Sequence, residues 1–182
     1  DICMLLIEKG ADVNAKGKDD NTSLFLAFDN GHIDICKLLI ENGADVNAKN
    51  KYGTTSLTWA SEKGHIDICK LLIENGADIN AKSKYDYTSL IWASYYGHVD
   101  ACKLLIEKGA NVNAIDNDGD SSLTCASYNG HIDICKLLIA NGADVNAKNK
   151  NGRTSLIRSS DKGHVDVCKL LIEHGANVNA ID

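Results

Sequence analysis

The stretch G-H-I-D-I-C-K-L-L-I-E-N-G-A-D-V-N-A, Gly31 to Ala48, returns almost letter for letter at Gly64, Gly97, Gly130 and Gly163, always at the same interval. Ile35, Leu38 and Leu39 stand at helical i, i+3, i+4 spacing. With Cys36 and Ile40 they predict a helix that is apolar over most of its circumference. Asp34, Lys37 and Glu41, at i, i+3 and i+7, share the one stripe that can face water. A single copy has nothing to bury the remainder against, so the copies must cover one another, and the sequence predicts a stacked solenoid.

Between the returns the chain follows one order. A polar tip such as Asn50-Lys51-Tyr52-Gly53 reads as a turn. Thr55-Ser56-Leu57 opens a short first helix, the Thr hydroxyl capping its N–H groups, and Gly64 ends it. His65, Ile66 and Asp67 start the second helix, with the carboxylate at the positive end of the macrodipole. Asn75-Gly76 would be a hairpin signal in a strand context, but after so long a helical pattern it predicts a left-handed glycine at the helix end. Ala77 to Lys82 then leads on as extended chain. The units so delimited are a partial one over residues 1–16 and full ones over 17–49, 50–82, 83–115, 116–148 and 149–181, forming one repeat domain.

The second-helix stretch, together with T-S-L and the A-S or A-F that follows it, resembles the ankyrin-repeat family along the entire chain. The resemblance implies an all-α ankyrin solenoid of helix-turn-helix units with projecting β-hairpin-like loops. Two departures stand out. The chain has no proline, and Ser23, Ser56, Ser89, Ser122 and Ser155 occupy the family's Pro position. The motif's His is replaced by Phe25, Thr58, Ile91, Thr124 and Ile157, which removes the Thr–His hydrogen bond that the resemblance would imply. Both departures predict less stability per repeat than in a consensus array. Asp20 and Asp86 replace the tip glycine found at Gly53, Gly119 and Gly152, and Asp tolerates the left-handed region there with mild strain.

A formal charge of -6 argues against a general nucleic-acid binder. No apolar run reaches the ~18 residues of a membrane span and no leader precedes the repeat, so the expectation is an intracellular, cytoplasmic protein. Cys3, Cys36, Cys69, Cys102, Cys135 and Cys168 share one helical register, too far apart between adjacent units for disulfides, and read as small buried hydrophobes of a reducing compartment. Cys125 lies outside that register and is the expected exposed thiol. His32 with Cys36, and the equivalent pairs, have a zinc-compatible i, i+4 spacing, but two ligands are too few for a structural zinc and both positions suit packing. No nucleotide loop, metalloprotease motif or nucleophile elbow interrupts the repeat, so the chain is read as non-enzymatic and without a cofactor or metal.

Function is to be sought where the units disagree. Tyr52, Tyr85, Tyr87, Tyr95, Tyr96 and Tyr128, with Trp59 and Trp92, all occupy variable letters. Large aromatics are the usual anchors of interfaces. The family resemblance implies a concave face of loop tips and first helices, so these residues, with Lys51 and Lys84 at the rim, form the expected partner-binding surface of an adaptor or scaffold for another protein. Alternatives are a structural spacer within a longer array, and a substrate of an asparagine hydroxylase at the family's loop position, here Asn47, Asn80, Asn113 and Asn146. Against the latter stands an Asn that hydrogen-bonds its own loop. The loop lysines, Lys49 with Lys51 for example, read as solvated tips. Finally, Ile2 to Ile7 and His164 to Glu173 keep the apolar letters of internal helices, which predicts ends covered by further repeats, other domains or end-to-end self-stacking.

Overall fold

The computed structural model describes residues 2–180, and within them the chain is all-helical. A lone helix, α1 (Ile2–Glu8), is followed by five pairs: α2 (Ser23–Asp29) with α3 (Ile33–Glu41), α4 (Ser56–Lys63) with α5 (Ile66–Glu74), α6 (Ser89–Tyr96) with α7 (Val99–Glu107), α8 (Ser122–Asn129) with α9 (Ile132–Ala140), and α10 (Ser155–Asp161) with α11 (Val165–Glu173). First helices pack on first helices, α4 on α6 and α6 on α8, and second helices form a parallel layer behind them. This is the stacked solenoid that the repeat predicts, with the helix-turn-helix units that the ankyrin resemblance implies. The projecting loops are closed by backbone bonds across each tip, such as Asn50 N–H to Thr54 C=O at 3.1 Å and Ser83 N–H to Tyr87 C=O at 3.0 Å. Among the described residues β-pairing is limited to the bridges Lys16–Thr22 and Ile115–Ser121.

Local chemistry sets the helix ends. Thr22, Thr55, Thr88, Ser121 and Thr154 each accept the N–H three residues on, at 3.2 to 3.3 Å, a cap worth about 1 kcal/mol. The Ser that stands in for proline is the first helical residue each time. In place of a Thr–His bond, Thr58 Oγ1 lies 3.0 Å from Thr55 Oγ1 and accepts Ser89 Oγ from the next unit at 3.4 Å. At the tips Asp20 and Asp86 take positive φ as expected, and so does Asp19 beside Asp20.

The core runs between the two layers. Leu24, Leu57, Leu90 and Leu123 are buried from the first helices, and Leu39, Leu72, Leu105 and Leu138 from the second. Each contributes about 1.5–3 kcal/mol of burial. Asp67, Lys70 and Glu74 of α5 face water, as their stripe predicts. Cys36, Cys69, Cys102 and Cys135 are fully buried. The hydroxyls of Ser61, Ser94 and Ser127 lie 3.6 Å from Cys69, Cys102 and Cys135. Cys125 corrects the sequence reading: it is 5% exposed, in a first helix packed between the helices that carry Trp92 and Arg158 at the same register. The two ends also differ. α1 buries none of its residues, whereas α11 packs on α10 and buries Val167, Leu170 and Leu171.

Candidate functional site

The tips are tied to one another in series. Lys51 N–H donates to Asp19 C=O at 2.9 Å, Lys84 N–H to Tyr52 C=O at 2.9 Å, Asn117 N–H to Tyr85 C=O at 3.0 Å and Lys150 N–H to Asp118 C=O at 2.9 Å. This ladder sets Tyr52 and Tyr85 at the same place on successive tips. It also explains Gly53, whose φ is 73° and where a Cβ would stand 2.8 Å from the Lys84 nitrogen. Lys51, expected as a rim lysine, is engaged within the chain: its Nζ lies 2.6 Å from Asp19 Oδ1 and 4.8 Å from the Tyr52 ring centroid. The Lys51 hydrogen bond holds the Asp19 carboxyl below its ordinary range. Lys84 is exposed at the next tip.

Apart from Tyr52 and Tyr85 on the tips, the variable aromatics fall into three groups. Trp59 is half-buried against Phe25 at 5.5 Å, its indole N–H donates to Asp29 at 2.9 Å, and Lys63 lies 4.8 Å from its ring. Tyr87, Trp92, Tyr95 and Tyr96 form one cluster, with centroids 4.5 Å apart for Tyr87–Trp92, 5.8 Å for Trp92–Tyr96 and 5.1 Å for Tyr95–Tyr96. Tyr85, Tyr95 and Tyr96 are exposed. A groove of 520 Å³ joins the first two groups, running among Tyr52, Trp59, Tyr85, Tyr87 and Trp92. Tyr128 stands apart, its ring 4.5 Å from both the Arg158 guanidinium and Lys162 Nζ. The hydrogen bond and charge of Lys162 lower its hydroxyl pKa.

The sequence reading missed the acidic neighbours of this cluster. The fourth tip is Asp116-Asn117-Asp118-Gly119-Asp120, unlike any other. Asp116 is buried and accepts the N–H groups of Asp118 and Asp120 at 2.9 Å each. Asp120, also buried, accepts Asn149 at 2.8 Å and Arg158 at 2.7 Å. Burial, and then the charges of Asp120 and Asp118, push the Asp116 carboxyl up despite those two bonds. Burial, followed by the field of Asp116 and its neighbours, pushes Tyr87 up to about 12. The signal that singled out the aromatics, disagreement between units, applies equally to these three aspartates.

The loop asparagines serve the stack. Asn47 Nδ2 donates to Gly76 C=O at 3.0 Å while its Oδ1 accepts Asp78 N–H at 2.7 Å. Asn80, Asn113 and Asn146 repeat the pattern on the loops after them. The expected bond within the same loop is therefore corrected to a bond with the next one. Lys49 Nζ likewise donates to Lys82 C=O at 2.9 Å, so this tip lysine is a staple as well as a solvated group. His98, His131 and His164 turn Nε2 onto the carbonyls of Glu62, Tyr95 and Tyr128 of the preceding unit, at 2.9, 3.1 and 3.0 Å. Imidazole and thiol of each of these His-Cys pairs thus have separate partners. Among the described residues no three His, Cys, Asp or Glu are grouped to hold a metal ion, and no helix is long and apolar enough to cross a membrane.

The family model described as ankyrin repeats (3 copies) matches residues 1–83, 49–116 and 90–182, which together span the chain. No curated protein matches it.

Proposed function

The chain belongs to the ankyrin-repeat family, whose members are generally protein-protein interaction modules, and we propose that it is a non-catalytic adaptor holding a protein partner on the face made by loop tips and first helices. The observation that carries this reading is the contiguous aromatic surface from Trp59 through Tyr85 to Trp92, Tyr95 and Tyr96, built wholly from variable letters and opening into the 520 Å³ groove. The scaffold is made of letters that do not vary. A spacer has no use for aromatics concentrated in two units, which is why the adaptor reading is preferred. Tyr52 and Lys84 extend the surface along the tips. Tyr128 and Lys51 belong to its margin, since each is already in contact with charged groups of the chain.

The test compares two triple variants against a partner captured by crosslinking to the intact chain. Alanine at Trp92, Tyr95 and Tyr96 is expected to weaken binding by ~2 kcal/mol or more per anchor, and alanine at Asp67, Lys70 and Glu74 of the outer stripe to change it little. A larger loss from the outer stripe would place the interface on the opposite side of the molecule.

A further inference from the structure

The aromatic cluster and the acidic tip meet in a second cavity, of 310 Å³, lined by Trp92, Tyr95, Tyr96, Asp116, Asp118 and Cys125 among others. Its meaning comes from the unit that follows. Tyr128 is the counterpart of Tyr95 one unit on, and its ring is covered by the Arg158 guanidinium, which also bonds Asp120. The residue at Arg158's register one unit earlier is Cys125, short and buried. Over Tyr95, therefore, the chain leaves open the place that its own guanidinium fills over Tyr128.

At Trp92 the equivalent place is filled, but by a ring and not by a cation. Lys63 lies over Trp59, but the residue at Lys63's register one unit later is Tyr96, which stacks on Trp92 at 5.8 Å. Tyr52, Trp59 and Tyr128 each have a cation of the chain against them, while among the described residues no such contact falls on Tyr87, Trp92, Tyr95 or Tyr96. The charge balance agrees. Three carboxylates and one guanidinium line the cavity, and Arg158 is matched by Asp120. Among the described residues neither Asp118 nor Asp116 makes an ion pair through its side chain, and the hydrogen bonds that Asp116 accepts come from backbone N–H groups. Aromatic rings beside unmatched carboxylates attract a cation both through the ring quadrupole and through charge.

Resting on the adaptor reading above, we propose that the cavity between Trp92, Tyr95 and Tyr96 on one side and Asp116 and Asp118 on the other is a socket for an arginine or lysine side chain of the partner. The partner's cation takes the position over Tyr95 that Arg158 takes over Tyr128, and its neighbouring apolar side chains enter the groove at Trp59 and Tyr85.

The test uses the full chain, labelled for nuclear magnetic resonance, and two synthetic peptides: acetyl-Gly-Gly-Arg-Gly-Gly-amide and its isostere with citrulline for arginine. The arginine peptide is expected to shift the Trp92 indole N–H and the backbone of Asp116 to Asp120, with at least tenfold weaker binding for the citrulline peptide. Three variants check the site. Asp116→Asn and Asp118→Asn install residues that the last full unit already carries at those positions, Asn149 and Asn151, so the fold is kept. Cys125→Arg supplies the side chain that the following unit uses and should fill the socket from within. All three are expected to remove the arginine-specific shifts. Equal shifts from both peptides, shifts elsewhere on the molecule, or shifts that survive all three variants would overturn the proposal. Affinity for the captured partner separates this proposal from the adaptor reading. If alanine at Trp92, Tyr95 and Tyr96 abolishes it while these three variants leave it intact, the socket is wrong and the interface stands; if the aromatic truncations leave it intact, the interface is wrong.

Discussion

Gly31 with His65, and Gly64 with His98, are the same letters one repeat apart, yet they make different junctions. At the second, the His98 ring lies over Gly64 so closely that a Cβ on the glycine would stand 2.6 Å from Nδ1, and Nε2 bonds the Glu62 carbonyl. The same staple recurs at Gly97 with His131 and at Gly130 with His164. At the first junction nothing lies within 4 Å of where a Gly31 Cβ would be. The neighbours differ: α2 carries Phe25, Leu26 and Phe28 where α4 carries Thr58, Trp59 and Ser61, and it ends at Asp29, one residue short of the equivalent end at Lys63. Phe28 is fully buried in a place that Ser61 fills with a hydroxyl. The staple recurs where the facing helix keeps its serine, at Ser61, Ser94 and Ser127, and is absent where Phe28 takes that place.

The largest expected effect breaks the staple from the glycine side. Gly97→Ala meets left-handed φ at 85° and a ring atom 2.7 Å away, so strain of ~1–2 kcal/mol adds to an overpacking cost of similar size, and a loss of about 2–4 kcal/mol is expected. Gly31→Ala has the same kind of φ, 70°, but open space, and should cost only the strain. Denaturant unfolding of the two variants measures the difference. Equal losses would show that the imidazole simply moves aside and that the junctions are energetically alike.

The buried thiols sharpen the comparison through pH. Burial raises Cys69, Cys102 and Cys135 from 9.0 to about 11, with the serine hydroxyls holding them down. Cys36, in the unit where Phe28 replaces that serine, is pushed by burial to about 12. Because the folded pKa is the higher one, the thiol's contribution is intact below pH 9 and is lost as pH rises: the unfolded chain releases its proton first. Each thiol should therefore cost about 2 kcal/mol of stability by pH 11. The loss should level off near pH 11 for Cys102 and nearer pH 12 for Cys36. Stability against pH for Cys102→Ala and Cys36→Ala, each subtracted from the parent curve, reads out the two windows. Superimposed difference curves would mean that the serine contact does not distinguish the junctions.

The fold was legible because it follows from a period. The constant return of the second helix, the capping Thr and the glycine at the helix end each act within one unit, so a linear reading finds them. The aromatic positions were legible for the opposite reason, as the letters that break the period. What escaped was set across units. The odd letter at Cys125 suggests exposure, but its burial is set by the packing of α8 between α6 and α10, one unit away on either side. Asn47 looked like a group serving its own loop, but its partners, Gly76 and Asp78, lie on the loop of the next unit. The pairing of Asp120 with Arg158, and hence the open place over Tyr95, appears only when successive first helices are set side by side.

The smallest expected effect turns on a hydroxyl. Ser89 and Ser122 are both buried at the first position of their helices, where the backbone N–H has no helical partner. Ser89 Oγ reaches Thr58 Oγ1 in the unit before it. Ser122 faces a unit in which the position of Thr58 is Ile91, which has no acceptor, and its Oγ is left without a hydrogen bond. Proline at either site fits the backbone, since Thr88 and Ser121 are already extended, at φ -104° and -89°, as the residue before proline must be. Ser122→Pro removes an orphaned hydroxyl and restricts the unfolded chain, so it should stabilise by about 1 kcal/mol or somewhat more. Ser89→Pro gains the same restriction but loses the bond to Thr58, so its net effect should lie near zero. Chemical denaturation of the two single variants decides the matter. A Ser89→Pro gain equal to that of Ser122→Pro would mean that the 3.4 Å hydroxyl contact adds nothing, and that these two junctions, unlike those at Gly31 and Gly64, are equivalent after all.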